Sequence, residues 1–322
     1  MIEQPLRARP TAGPFTVGVV GAGRVGAVLA AALRAAGHTV VAVAGESDAS
    51  RGRAAALLPG VPVAKPSAVA RACDLLLLTV PDDMLANVAT MLSASGAITE
   101  GQYVVHTSGR HGLDVLAEAT AVGARPVALH PAMTFTGTDV DLPRLAGCVF
   151  GVTAGPAERD VTAALVDDLG GRAMWVPEEK RTLYHASLAH GANHLVTLVT
   201  EALEMLAAAG ADDPAISPAD TLRPLLTAAL DNALAQGDAA LTGPIVRGDV
   251  NTVRAHVADL VANAPQTLPS YLTLARATLS RVVTDGRLLP IRAEQILRVL
   301  DEASPAATTA TAAQPLAENL EG

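Results

Sequence analysis

At 322 residues the chain is long enough for two domains of ordinary size. Half of its residues are hydrophobic and 17% are charged, which supports a packed core and excludes global disorder; with only three Phe, three Tyr and one Trp, that core is aliphatic and lacks the base-stacking platforms that grip single-stranded nucleic acid. Twenty-three Lys and Arg against 32 Asp and Glu give a formal charge of −9, the wrong sign for a phosphate backbone or an anionic membrane as the main partner.

The opening MIEQPLRARPTAGP contains no apolar signal core, and residues 1–14 read as a disordered N-terminus. The alanine-rich stretch that follows is broken by Arg24, Arg34 and His38 before a membrane span can accumulate. Cys73 and Cys148 are too few and too far apart for a disulfide framework or a CxxC metal site. These features predict a cytoplasmic protein without a metal. From Phe15 onward, FTVGVV, HTVVAVA, DLLLLTV, QYVVH, RPVALH, CVFGVT and RAMWV alternate with helical stretches, which predicts an α/β Rossmann domain over 15–177, a parallel sheet with helices on both faces. Pro177 followed by Glu178 and Glu179 signals a helix start and places the domain boundary. Beyond it the pattern is all-helical over 178–303: one long helix over 178–209, then helices over 218–236, 251–263, 269–284 and 292–303. The small, polar residues 304–322 read as a disordered tail.

The first strand, loop and helix carry GxGxxG at Gly21, Gly23 and Gly26, with Arg24 and Val25 between the last two glycines. In this context Gly21 permits the tight turn, Gly23 admits a pyrophosphate, and Gly26 lets the helix close on the sheet with its amides facing the phosphates. The second strand ends in AGESDASRGR. Glu46 there suits the ribose 2′-hydroxyl of NAD, whereas Ser47, Ser50, Arg51, Arg53 and the loop residue Arg24 suit the 2′-phosphate of NADP; the balance favours NADP, and solvated helix arginines are the bland alternative.

Ligands of open α/β sheets lie outside the carboxyl ends of the strands. There the chain places Val80, Pro81 and Asp82, then His106, Thr107, Ser108 and Gly109, then His130 and Pro131. Val80, Pro81 and Asp82 would line the cofactor, Asp82 also serving as a helix N-cap; His106, Ser108 and His130 are candidates for polarising and anchoring a substrate carbonyl, with a turn or packing role the alternative for each. HTSGR lacks the GxSxG elbow of a serine hydrolase. In the long helix His190, Asn193, Thr197 and Glu201 share one side at α-helical spacing, while Lys180, Ser187 and His194 make a second stripe and His185 points elsewhere. A helix so apolar all round should be buried, which makes Asn193 and His190 site candidates rather than a solvated face. Downstream, Thr242-Gly243-Pro244 and Arg247-Gly248-Asp249 precede a helix that Asp249 would cap, with Arg247 either gripping a carboxylate or bracing a turn.

Taken together, GVVGAGRVG, LLLLTVPDDML, HTSG, LHPAMTF, YHASLAHGANHLVTL and ALTGPIVRGDVNTV resemble the Rossmann-like proteins that carry a C-terminal domain of unknown function and have only provisional oxidoreductase descriptions. More distantly the chain is similar to ketopantoate reductases, pyrroline-carboxylate reductases and β-hydroxyacid dehydrogenases. The resemblance implies a helical domain of the β-hydroxyacid and 6-phosphogluconate dehydrogenase type, often a dimerisation element, with Asn193 at the helix asparagine of that group. Their catalytic lysine falls on Ala189, so His190, His185 or Lys180 would have to replace it. The expected function is NAD(P)-dependent reduction of a small carbonyl or imino acid, a ketopantoate-like 2-oxoacid among them, by a homodimer. A dinucleotide-binding sensor or scaffold without turnover is the alternative.

Overall fold

The computed structural model describes residues 13–210 and 216–304; the expected disordered ends fall, apart from residues 13, 14 and 304, outside the described residues. The described chain divides into two compact units, one through Gly191 and one from Ala192. That division lies beyond Pro177, because the first helical turns after Pro177 pack within the sheet unit.

The first unit runs β1 (Thr16–Val20), α1 (Arg24–Ala35), β2 (Thr39–Ala44), α2 (Asp48–Leu57), α3 (Pro66–Arg71), β3 (Leu75–Leu78), α4 (Asp82–Ala94), β4 (Tyr103–His106), α5 (Ala117–Ala121), β5 (Arg125–Pro131), β6 (Val149–Ala154), α6 (Arg159–Asp168), β7 (Arg172–Trp175) and α7 (Arg181–Leu188). All seven apolar runs are strands of one sheet, ordered β2-β1-β3-β4-β5-β6-β7. Val17, Val19, Leu75, Leu77, Val105 and Val127 face one aliphatic core beneath α1 and α6; Leu76, Leu78 and Val104 face the other, with Leu85 and Leu92 of α4. Alternate residues thus serve opposite faces, as the strand period of two requires.

One departure matters. The sheet is not wholly parallel, since β6 pairs with β5 antiparallel, His130 opposite Gly151, before β7 resumes parallel to β6. A parallel return needs a crossover helix, and the β5–β6 connection holds only two short 3₁₀ turns, Asp139–Asp141 and Pro143–Leu145. An apolar strand buried on both faces carries no signal of its direction, so the reversal was invisible in the residue pattern.

The expected long helix is also interrupted. Its start is a 3₁₀ turn (Glu178–Lys180), and α7 is separated from α8 (His194–Ala208) by a π-helical turn over Ala189–Asn193. The second unit continues with α9 (Pro218–Gln236), α10 (Pro244–Arg247), α11 (Val250–Asn263), α12 (Leu268–Thr284) and α13 (Pro290–Glu302). Ser217 and Asp220 form a reciprocal capping box at the start of α9, where Pro218 sits at the first helical position. Val253, Val257, Leu272, Leu279, Ile296 and Leu300 make the core among α11, α12 and α13. By contrast α8 contains no fully buried residue, and Val196 is 66% exposed. The expectation that this helix is buried therefore fails among the described residues, because α9 and α12 cover it only in part.

Two loop glycines test the packing of α1 on the sheet. A Cβ on Gly26 would overlap Thr79 Oγ1 and the Gly21 carbonyl, whereas one on Gly23, whose φ is −75°, would meet only Gly21 O at 3.9 Å. Gly26→Ala should therefore cost about 1–3 kcal/mol of stability, and Gly23→Ala should stay within about 0.5 kcal/mol of the parent in chemical denaturation. Equal losses would contradict this account of the loop.

Candidate functional site

The glycine loop leaves β1 and enters α1 with features that suit an anion. Gly21 has φ +102°, and a side chain there would lie 2.7 Å from the Thr79 carbonyl carbon and 2.9 Å from Val80 N, so only glycine brings the loop onto the end of β3. Thr79 Oγ1 donates to the Gly21 carbonyl at 2.5 Å and fixes that approach. Gly23 is the N-cap of α1, with no side chain capping the helix and no acid in its first turn. The first bond of the helix ladder is Ala27 N to Gly23 O, and the open space at Gly23 lies before the uncapped amides of Arg24 and Val25. This cradle fits a dinucleotide pyrophosphate.

The predicted ribose-end residues divide. Ser47 caps α2 by accepting from Ser50 N, and the Ser50 hydroxyl donates back to Ser47 O at 2.7 Å. Arg51 donates to the Glu46 carbonyl and pairs with Asp48, both at 2.5 Å, so it braces its own turn. Arg24 and Arg53 differ from it: among the described residues neither makes a hydrogen bond or ion pair, and both flank Gly137 of the β5–β6 connection. At the end of β3, Pro81 is the N-cap of α4 and Asp82 is the first helical residue without a capping bond; its carboxylate lies 3.6 Å from Arg110 Nε. Proline leaves no room for the expected aspartate cap one residue later.

At the next strand ends the structure separates framework from candidate chemistry. His106 is fully buried, its Nε2 2.8 Å from Gly112 O and its Nδ1 accepting from Ser108 N at 3.2 Å. Burial pushes its pKa down to about 3, the nearby Arg181 cation adding to the shift against the Gly112 bond. Ser108 is also buried; its hydroxyl accepts from His111 N and its carbonyl from Arg181 Nη2 at 2.7 Å. His130 is only partly buried, and its Nδ1 lies 2.9 Å from the Tyr184 hydroxyl. Burial, then the neighbouring His185 and Arg181, bring its pKa down to about 4, so the imidazole is neutral near pH 7.

Three residues of α7 thereby join the site, and the pattern at α-helical spacing had not selected them. Tyr184 meets His130 edge-on with ring centroids 5.6 Å apart, and His185, off the polar stripes but one of the candidates to replace the missing lysine, meets the same ring at 5.8 Å. Gly151, paired with His130 across the antiparallel β5–β6 ladder, has no Cβ because the Tyr184 ring fills that space. Arg181 is wholly buried and donates to Ser108 O, Thr153 Oγ1 and Gly151 O, all uncharged, while its Nε has no hydrogen-bond partner. Burial raises the Tyr184 pKa and the Arg181 cation opposes the rise. Sequence reasoning had no access to this group, since 54 residues separate His130 from Tyr184 and a charged residue at a helix start reads as solvated.

His190 and Asn193 both lie in the π-helical turn and are exposed; His190 falls in the first unit and Asn193 in the second. Downstream, Asp249 occupies the N-cap position of α11 but makes no capping bond, and instead accepts from Arg247 Nε at 2.8 Å. The RGD segment is in this respect a braced turn. Gly248 adopts φ +72° with the side chains of Leu288 and Arg292 against it.

The fold and this loop define a Rossmann-like protein with a helical C-terminal region. Residues 6–131 match the Rossmann-like domain family and residues 148–278 match a domain of unknown function, DUF2520; the chain belongs with the proteins that join these two domains. Among solved structures it resembles a Bacteroides fragilis protein provisionally described as an NADP oxidoreductase, at 21% identity and a TM-score of 0.70 over 83% of this chain and 99% of that one. It also resembles a reductive aminase of Aspergillus terreus, solved with NADPH and ethyl levulinate, at 15% identity and TM-score 0.56 over 88% and 98%. The pyrroline carboxylate reductase of Plasmodium falciparum, with NADP bound, matches at 12% identity and TM-score 0.52 over 90% and 99%. These likenesses are of fold. No curated protein matches the sequence. Among the described residues no helix is long and apolar enough to cross a membrane.

The burial of His106 sets a pH dependence. Its pKa falls from an ordinary 6.5 to about 3 on folding, so below pH 6.5 the unfolded chain takes up a proton that the folded chain refuses. Its contribution to stability is complete above pH 6.5 and is lost as pH falls toward 3, at about 1.4 kcal/mol per pH unit. Denaturation at pH 5 should show about 2 kcal/mol less stability from this group than at pH 6.5, and His106→Asn should flatten the slope by about one proton. An unchanged slope in that variant would show that the imidazole titrates freely in the fold.

Proposed function

We propose that the protein is an NADP(H)-dependent reductase of a small carbonyl or imine, with 2-oxoacids and cyclic imino acids as the substrate class. The observation that carries this reading is the pairing of a neutral His130 with Tyr184 at the strand ends of the same sheet whose first loop offers an uncapped α1 N-terminus at Gly23. A reductase needs a dinucleotide seat and a proton source, and both belong to one compact unit. The folds of an NADP-bound pyrroline carboxylate reductase and an NADPH-bound reductive aminase support the class.

A bound dinucleotide would supply the hydride for the carbonyl or imine carbon. The Gly21–Gly26 loop and the first α1 amides would hold its pyrophosphate. Tyr184 delivers its phenolic proton to the heteroatom of the bond being reduced, and His130 Nδ1 orients the hydroxyl until the substrate takes its place. The phenolate left behind sits beside a guanidinium that makes no direct ion pair among the described residues: Arg181 Cζ is 5.9 Å from the Tyr184 ring centre. Solvent then restores the proton. Within the same unit His190 is proposed to anchor the substrate from the start of the π-helical turn, a kind of irregularity frequent at functional sites, and Asn193 remains a candidate on the second unit. Ser108 holds the strand end in shape through its carbonyl and hydroxyl.

Oxidation of NADPH by the purified protein, followed at 340 nm against a panel of 2-oxoacids and cyclic imines, tests the reading. With an identified substrate, Tyr184→Phe should lower kcat by about 10²-fold with NADPH affinity intact, and His190→Ala should raise KM with the same cofactor affinity. Binding of NADPH without turnover across the panel would favour a sensor instead.

The second unit is proposed to form a symmetric homodimer. Val196 on α8, and Leu225 and Leu234 on α9, are 66%, 64% and 80% exposed, more apolar surface than two packed helices ordinarily leave to water. Light scattering at micromolar concentration should give twice the chain mass, and Val196→Glu with Leu234→Glu should give a folded monomer. A monomeric parent would remove this assembly.

A further inference from the structure

We infer that the turn Thr136-Gly137-Thr138, in the β5–β6 connection, is the third wall of a phosphate-monoester seat and selects the 2′-phosphate of NADP(H); this rests on the reading of the glycine loop as a dinucleotide site. The usual determinants of that choice lie at the end of β2. Here the end of β2 supplies less than its residues promise, because Arg51 is engaged with the Glu46 carbonyl and Asp48. The two guanidinium groups left over are Arg24, from the first turn of α1, and Arg53, from α2. Both side chains pass over Gly137: a Cβ there would stand 2.7 Å from Arg24 Cγ and 2.9 Å from Arg53 Nε. The Asp141 carboxylate beside the same turn is spent on its backbone amides and pairs with neither arginine, so an anion that bridges the two would relieve their mutual repulsion. Phosphate monoesters suit paired guanidinium groups and hydroxyl donors.

The turn is built to be held still beside these arginines. Asp141 is fully buried, and its Oδ2 accepts from both Thr136 N at 2.8 Å and Gly137 N at 2.7 Å. Its Oδ1 faces Arg144 Nη1 at 3.5 Å, so the carboxylate is engaged on the inner side of the turn. Gly137 is buried with φ +82°, a conformation that a side chain would strain even without the arginines in its way. Thr136 and Thr138 are exposed, and their hydroxyl oxygens are 2.9 Å apart. Only one hydroxyl can donate to the other, which leaves the second proton available to a ligand oxygen. The turn therefore contributes an oriented hydroxyl pair beside a glycine whose missing side chain makes room for Arg24 and Arg53.

Calorimetry with NADPH, NADH, 2′,5′-ADP and 5′-ADP separates the claims. The parent should bind 2′,5′-ADP more tightly than 5′-ADP. Thr136→Ala with Thr138→Ala should weaken NADPH and 2′,5′-ADP by about tenfold or more while NADH stays within about twofold and the melting temperature is unchanged. Arg53→Ala should weaken the same two ligands selectively. A double threonine variant that binds NADPH as the parent does, or that loses NADPH and NADH equally, overturns the role of the turn and leaves the dinucleotide site standing. A parent that binds neither dinucleotide overturns both.

Discussion

A buried cation whose direct hydrogen bonds all go to uncharged oxygens organises the sheet end of this molecule. Arg181 is completely enclosed, and its guanidinium reaches Ser108 O beyond β4 and Gly151 O and Thr153 Oγ1 on β6. Thr153 Oγ1 in turn donates to Val176 O at 2.6 Å, which ties the approach to α7 into the same network. Removing a guanidinium from water costs several kcal/mol, and neutral acceptors recover only part of that. Such a group persists where the surrounding backbone is committed to it. The consequence is positional: with Arg181 fixed, Tyr184 lies one turn further along α7 and its ring fills the space over Gly151, from which its hydroxyl reaches His130.

The antiparallel β6 belongs to the same arrangement. In a wholly parallel sheet the chain leaving β5 would return through a crossover helix, and the residue beside His130 would come from a strand of opposite direction. Reversal places Gly151 directly across from His130, where its missing side chain admits the Tyr184 ring. It also leaves residues 132–148 without a helix to form. Met133 and Phe135 pack on the aliphatic core beneath α1, and the turn beyond them runs on to Arg24 and Arg53. A single change of strand direction thus shapes both the neighbourhood of the candidate proton donor and the loop at the dinucleotide end.

The sequence exposed the framework because that framework is written in short-range patterns. Seven apolar runs became seven strands, and the roles of Gly21 and Gly26 follow from close contacts with Thr79, the next strand end. What stayed hidden depends on long-range pairing. Strand direction leaves no mark on a run such as CVFGVT. Asp82 and Asp249 look like caps, yet one follows a proline that already occupies the N-cap and the other is held by Arg247. Ser108 and His106 looked equivalent to His130, but their polar atoms are engaged in holding the loop after β4, whereas His130 turns toward α7. Nothing in the sequence singles out Arg181, because burial of a lone arginine is decided by acceptors on segments 28 and 73 residues away.

The helical stripe drawn through His190, Asn193, Thr197 and Glu201 illustrates a different limit. An α-helix advances 100° per residue, and the π turn at Ala189–Asn193 accommodates an additional residue before α8 resumes. Residues before and after that turn therefore differ in facing by about one residue's rotation from the α-helical expectation. His190 and Asn193 cannot be assigned to the face of Thr197 and Glu201 by counting threes and fours. Asn193 consequently owes its position to a local defect in the helix rather than to its amphipathic pattern. An insertion that redirects one polar residue while leaving both flanking helices intact is a way of aiming a side chain without redesigning the fold that carries it.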